Sequence, residues 1–165
     1  MTTEAEVFEE LKLSISVSSY GTRRYRNAGG QLHREAGPAV VWKSGEQEWY
    51  QNNLRHREDG PAMLWPDGDY EWYLRGNLHR TNGPALWRTN GHSEWWVNNQ
   101  RHREDGPAVD AANGYKEWHL HDKLHRTDGP AVIHEDGAKE WWLNGVRYDS
   151  EQDYHTQLKA QGYTA

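Results

Sequence analysis

Five histidines, His33, His56, His79, His102 and His125, stand 23 residues apart at every step, and each is followed by an arginine: Arg34, Arg57, Arg80, Arg103 and Arg126. Imidazoles at a fixed period invite a metal-binding reading, and a guanidinium row invites phosphate or carboxylate binding. Distance argues against the metal. If each 23-residue unit contributes two strands, equivalent histidines lie roughly 9.6 Å apart. A metal needs its ligands at about 2.1 Å, so neighbouring rungs cannot share one. Each histidine also adjoins a cation. The His-Arg pair therefore reads as structural, hydrogen-bonding across a chain bend, with an anion-binding arginine row as the alternative.

A second row begins with the repeated Glu-Trp pair at Glu48, Glu71, Glu94, Glu117 and Glu140. Strand alternation puts Glu48 with Tyr50, Glu71 with Tyr73, Glu94 with Trp96, Glu117 with His119 and Glu140 with Trp142 on one side. Trp49, Trp72, Trp95, Trp118 and Trp141, with Gln51, Leu74, Val97, Leu120 and Leu143, take the other, which is expected to be the buried one. The aromatic and acidic stripe either holds neighbouring units together or forms an outer surface for a cationic or peptide partner.

The fourth unit breaks the rule. Its first strand reads Val109-Asp110-Ala111-Ala112 where the others carry Val41-Trp42, Leu64-Trp65, Leu86-Trp87 or Ile133-His134. Small residues there would leave a notch near Trp87, Arg88, Asp110 and His134. His119 and His121 would share one strand face, and with a carboxylate they could ligate zinc; ordinary drift in a surface strand is the competing explanation. No phosphate-cradling glycine loop and no Ser-His-Asp order stands out, so no catalytic residue and no cofactor is expected.

The elements that must position these rows follow from the punctuation. Asp67-Gly68, Asn90-Gly91, Asn113-Gly114 and Asp136-Gly137 suit two-residue reverse turns in which both residues take positive φ. They separate a strand such as residues 39–43 from one such as residues 47–51. A second turn near Asn53, Gly76, Asn99, Asp122 or Asn144-Gly145 leads to the next unit. Each histidine runs into Gly-Pro-Ala, at Gly37, Gly60, Gly83, Gly106 and Gly129, and a proline that cannot donate to a ladder marks a bulge or bend there. The residue before histidine alternates Leu32, Arg55, Leu78, Arg101, Leu124, and Arg55 travels with Glu58 as Arg101 travels with Glu104. That pairing suggests side-chain contact and an ancestral unit of two repeats.

Four segments result: an N-terminal capping helix over residues 1–13, in which Thr3 and Glu6 can form a capping box; a degenerate hairpin over 14–31; five repeats over 32–148; and a capping helix over 149–165. In the last, Ser150 with Asp153 opens the helix, Tyr154 and Leu158 lie on one side, and Gly162 ends it. The expected fold is an all-β repeat: an elongated stack of hairpins, a single-layer meander or solenoid, with a short helix at each end.

Composition agrees. Only 35% of the 165 residues are apolar, yet there are 10 Trp and 9 Tyr. Such a chain fills one round core poorly and suits small units that shelter each other; disordered chains, by contrast, are poor in aromatics. With no cysteine there is no disulfide or thiolate site. No apolar run is long enough to span a bilayer, and no secretory leader is evident. The net charge of −6 disfavours nucleic acid and anionic lipid. The expected location is cytoplasmic.

In its period and its Asp-Gly and Asn-Gly punctuation the chain resembles the MORN class of hairpin repeats. It departs from them in having Arg directly after the repeated His, where MORN repeats have Gly, and in its Gly-Pro-Ala step. The combination of Trp-Tyr, Asn-Gly, Leu-His-Arg and Asp-Gly-Pro-Ala is similar to MORN-variant repeats in proteins of tailed phages and bacteria. The resemblance covers roughly residues 14–148 and implies scaffold-like binding of proteins or lipid. The expected function is a noncatalytic protein-binding module, an inhibitor or adaptor acting on a partner protein, in the host cytoplasm if a phage encodes it. The alternatives are a binder of a sugar, nucleotide or quaternary amine between aromatic rungs, and a metal-assisted hydrolase at the fourth and fifth units.

Overall fold

The structure, a computed structural model, describes residues 12–163. The expected N-terminal helix lies, but for its last two positions, outside the described residues. The chain divides into two compact units, Met1–Leu78 and His79–Ala165. Both are built of antiparallel strands, and among the described residues one helix, α1 (Glu151–Ala160), follows the last strand. No helix of the described residues is long and apolar enough to cross a membrane.

In the first unit Ser14–Val17 pairs with Arg23–Arg26, which pairs with Val40–Val41, then Gln47–Glu48, Met63–Leu64 and Tyr70–Glu71 in order. In the second, Leu86–Trp87 leads through Ser93–Glu94, Val109–Asp110, Lys116–Glu117 and Val132–Ile133 to Lys139–Leu143 and Val146–Tyr148. Each repeat also carries a short second hairpin, such as Tyr50–Gln51 against Leu54–Arg55. The continuous strand expected from Gln47 to Gln51 is therefore broken at Trp49. The Trp49 N–H donates to Ala62 C=O at 2.8 Å while its own C=O accepts from His56 N–H at 3.1 Å, so the backbone changes partner there. Only the last repeat keeps one strand throughout, Lys139–Leu143.

The two turns of each repeat exchange the chemistry expected of them. At Gly68 the Trp65 N–H reaches Asp69 C=O and the Gly68 N–H returns to Trp65 C=O. This is a three-residue loop in which only the glycine, at φ 97°, is left-handed. The preceding Asp or Asn does a different job: Asp67, Asn90, Asn113 and Asp136 each accept, through the side chain, the N–H two residues on. The turn with two positive φ values lies in the short hairpin, at Asn52-Asn53, Arg75-Gly76, Asn98-Asn99, His121-Asp122 and Asn144-Gly145.

Arg75 is a poor residue for that conformation, and the repeated histidine explains how it is held. His33, His56, His79, His102 and His125 each accept, at Nδ1, the N–H of the first turn residue 19 positions later, at 3.2, 3.1, 3.2, 3.3 and 3.1 Å. The second turn residue donates back across the same seam, as Asn53 does to Leu32 C=O and Asp122 to Arg101 C=O, both at 2.9 Å. Each such turn is thus templated by the histidine of its own repeat.

The repeated arginine explains the Gly-Pro step. Arg57, Arg103 and Arg126 lie over the rings of Trp49, Trp95 and Trp118 at 4.3, 4.0 and 4.0 Å, and Arg34 lies over Tyr25 at 4.1 Å. Their Nη1 donates to the carbonyl of the following proline, from 3.2 to 3.4 Å. A Cβ at Gly60, Gly106 or Gly129 would stand 2.6, 2.8 or 2.9 Å from the guanidinium carbon. The glycine is there for space, because the cation is held between an indole and the backbone. Next comes the alanine: Ala39, Ala62, Ala85, Ala108 and Ala131 are fully buried, where backbone ladders leave no room for more. Of the side expected to be buried, Trp49, Trp95 and Trp118 are instead half-buried and covered by arginine, whereas Leu143 is buried as expected.

At the end of the second unit, Leu143, Tyr154 and Leu158 form the core between α1 and the last hairpin, with Trp141 and Tyr148 packed against it. Ser150 caps the helix by accepting from Asp153 N–H at 3.1 Å, and the Tyr154 hydroxyl donates to Arg126 C=O at 2.6 Å.

Gly60→Ala is expected to push the Arg57 guanidinium off Trp49 and to cost about 1–2 kcal/mol. In an Arg57→Ala background the same change is expected to cost almost nothing, so urea titrations of the four proteins give a coupling close to the whole single cost. Additive costs would mean that Gly60 serves some other purpose.

Candidate binding surface

The stripe of acidic and aromatic residues is drawn into clusters, one carboxylate to each. Glu48 is 7% exposed; Trp42 Nε1 donates to its Oε1 at 2.7 Å, and the Tyr50 hydroxyl and Arg55 Nη2 to its Oε2 at 2.8 and 3.2 Å. Glu94 is met by His92 Nε2 at 2.8 Å, Trp96 Nε1 at 2.8 Å and Arg101 Nε at 3.3 Å. Glu117 is met by the Tyr115 hydroxyl, by His119 Nε2 at 2.9 Å and by Arg101 Nη1 at 3.4 Å. Glu140 is met by His134 Nε2 at 2.8 Å and Trp142 Nε1 at 2.9 Å. The Tyr73 hydroxyl donates to Glu71 at 2.8 Å. Each glutamate thus has the residue two positions on as a donor, and these carboxylates are engaged within the protein.

The break in the fourth repeat follows from the same clusters. The second oxygen of Glu48, Glu94, Glu117 and Glu140 takes its donor from one of two positions that face each other across the glycine turn. In the first and fifth repeats it is Trp42 or His134, and the opposite residue is Glu46 or Ala138. In the third and fourth it is His92 or Tyr115, opposite Arg88 or Ala111. Ala111 can be small because Tyr115 carries the donor. Of the other residues expected around the notch, Asp110 pairs with Lys116 across the hairpin at 2.5 Å. His134 belongs to the Glu140 cluster, with its ring 5.8 Å from that of Tyr115.

The alternation of leucine and arginine before each histidine also belongs here. Arg101 bridges Glu94 and Glu117, in consecutive repeats. Arg55 pairs with Glu48 of the preceding repeat and lies 5.4 Å from the Tyr73 ring of its own. One arginine thus serves two clusters, which accounts for a period of two repeats. The contact expected between Arg55 and Glu58, or Arg101 and Glu104, is not the one formed: Glu58 and Glu104 lie 3.7 and 3.8 Å from Nε2 of His56 and His102.

His119 and His121 do not share a face. The strand ends at Leu120, and His121 sits in the left-handed turn at φ 51° with its ring 4.3 Å from that of His102. His119 is 7% exposed, and its two nitrogens face Glu117 Oε2 and Asp122 C=O at 2.9 and 3.3 Å, so neither is directed outward.

The opposite face carries what the rows of the sequence did not disclose. Consecutive Gly-Pro loops wall off grooves floored by the tryptophan, the residue two after it, and the histidine. In the first unit the groove lies between the loops at Arg34–Gly37 and Arg57–Asp59, over Trp49, Gln51 and His56, and holds 660 Å3. In the second unit one groove lies over Trp95, Val97 and His102, with 740 Å3. The next lies over Trp118, Leu120 and His125, with 700 Å3. The rims carry open carboxylates: Glu58, Asp59, Glu104, Asp105 and Asp128 are each between 78 and 86% exposed, with Asp59, Asp105 and Asp128 accepting from Nε of Arg57, Arg103 and Arg126 at 2.8 Å. The spacing of the loop Arg and Asp was visible in the sequence; that a wall of one groove comes from the next repeat was not.

Proton affinities follow the clusters. His119, then Tyr115 and Arg101, outweigh burial and hold the Glu117 carboxyl down to about 2. Burial opposes the charge of Glu48, but donors from Trp42, Tyr50 and Arg55 prevail and lower it. His134 and then Trp142 lower Glu140. Burial lowers His125, in keeping with an Nδ1 that must stay unprotonated to accept.

Both kinds of shift make acid destabilising. His125 favours its neutral form in the fold, so its contribution is present above about 6.5 and is lost as pH falls below that value. The glutamates are depressed, so theirs is present above about 4.5 and is lost as pH falls toward 2. The melting temperature is expected to decline gently below pH 6.5 and steeply below pH 4.5. Glu117→Gln is expected to remove part of the second fall, on the order of 1–3 kcal/mol. A melting temperature flat from pH 7 to 3 would contradict the clusters. No family model and no curated protein matches this chain.

Proposed function

We propose that this chain is a noncatalytic module that binds a partner protein through the grooves of its units, as an inhibitor or adaptor. The observation that carries the reading is the recurrence of one groove, with an aromatic floor and an exposed acidic rim, at Trp49, Trp95 and Trp118. Aromatic residues ringed by polar groups are typical of interface cores and rims. The clustered glutamates on the other face favour this side as well, because their hydrogen-bonding capacity is spent internally. The acidic rim suits a partner with a cationic surface. The resemblance to phage and bacterial repeats makes a bacterial host protein the first partner to seek.

The test is affinity capture from bacterial lysate at low salt with the wild-type chain and with a Glu58→Lys, Glu104→Lys double variant. Both residues are open to solvent, so the fold is expected to persist. One protein is expected to be retained by the wild type, with retention reduced about tenfold by the charge reversals and by high salt. No protein retained above background, or retention indifferent to the reversals, would overturn the reading.

A small-ligand reading has one observation in its favour: grooves of 660 to 740 Å3 lie within the size range of small-molecule sites. A panel of sugars, nucleotides and quaternary amines is then expected to raise the melting temperature, and a panel without effect removes this alternative.

A further inference from the structure

One of the three grooves already holds a residue from elsewhere in the chain. Helix α1 ends in a Schellman motif. Gly162, at φ 81°, donates to Lys159 C=O at 3.0 Å, and Tyr163 donates to Leu158 C=O at 3.1 Å. That motif fixes the course of the chain past the helix and delivers Tyr163 to the groove over Trp118, Leu120 and His125. The tyrosine ring lies 6.1 Å from the ring of His125 and stays 38% exposed, as a side chain lying in an open trough would.

The groove one repeat earlier has the same design. Trp95 stands for Trp118, Val97 for Leu120 and His102 for His125, and the wall formed by Arg103, Glu104 and Asp105 is common to both. Its volume is 740 Å3, and among the described residues only the two loops and the floor line it. His121, which stacks on His102, is not among the lining residues. The groove of the first unit differs where it matters for a ring, with Gln51 at the floor in place of an aliphatic side chain.

We propose that the groove over Trp95, Val97 and His102 is a socket for a tyrosine side chain of a partner protein, and that Tyr163 in the neighbouring groove is the chain's own counterpart of that ligand. The proposal rests on the protein-binding reading of this face. An aliphatic and aromatic floor takes the ring, while the polar rim of Thr81, Asn82 and Glu104 is available to the hydroxyl, matching the two ends of a tyrosine.

The probe is a synthetic peptide of residues 161–165, Gln-Gly-Tyr-Thr-Ala, titrated onto isotope-labelled full-length chain and followed by NMR. The Trp95 indole N–H and the Val97 signals are expected to shift saturably, with a dissociation constant on the order of 1 mM for so small a contact. The same peptide with alanine for tyrosine is expected to shift neither. In a Tyr163→Ala variant the vacated groove opens, and the Trp118 and Leu120 signals are expected to respond as well. Val97→Gln, which copies the residue naturally present at position 51, is expected to abolish the Trp95 response and spare the Trp118 response in the Tyr163→Ala background.

Trp95 and Val97 unmoved at about 10 mM peptide, some tenfold above that constant, would overturn the socket whether or not Trp118 responds. So would a Trp95 response that persists with the alanine peptide or with Val97→Gln. Any of these results combined with capture of a protein by a contact sensitive to Glu58→Lys and Glu104→Lys would leave the protein-binding reading standing and remove only the socket.

Discussion

An imidazole Nδ1 facing a backbone N–H from 19 residues away is the contact on which the repeat depends. The fully buried apolar residues of the repeats are chiefly five alanines, which bring little area out of water, so hydrophobic burial alone discriminates weakly among hairpin arrangements. Directional contacts must do it. His33, His56, His79, His102 and His125 each hold the first residue of a left-handed turn. Each such bond contributes only about 1 kcal/mol, but it also fixes where the next short hairpin lies. The arginine beside the histidine then needs a ring on one side and a glycine on the other, and the proline carbonyl completes its place.

This division of labour separates the two faces by chemistry. On one, glutamate collects indole, phenol, imidazole and guanidinium donors until its charge is fully engaged. The donor at the second oxygen can come from either side of the glycine turn, so individual repeats drift in sequence while the cluster persists. On the other, the tryptophan and arginine leave troughs between loops whose outermost carboxylates reach into solvent. Glu48 and Glu94 are buried, whereas Glu58 and Glu104 are among the most open residues of their repeats.

The hairpin period, the two turn positions, the degenerate hairpin from Ser14 to Arg26 and the helix opened by Ser150 were all legible in the sequence, because each is a local signal read within a few residues. What was illegible depends on partners far along the chain. Asp-Gly is compatible with a two-residue and a three-residue turn, and the ladder on either side decides between them. The break at Trp49 arises from Ala62, and the partner of Arg55 is Glu48 seven residues before it, not Glu58 three residues after. His121 reads as a strand residue by spacing from His119, yet His102 draws it into a turn. The grooves are the extreme case: each needs loops 23 residues apart in sequence, so neither loop alone betrays a site.

The most direct test of this account is the protonation and tautomer of the five repeat histidines, read from long-range proton–nitrogen NMR spectra at neutral pH. Nδ1 of all five rings is expected to show the shift of an unprotonated acceptor of the turn N–H. Rings carrying the proton on Nδ1, or doubly protonated at pH 7, could not accept the turn N–H groups. Either result would contradict the claim that histidine sets the course of each repeat.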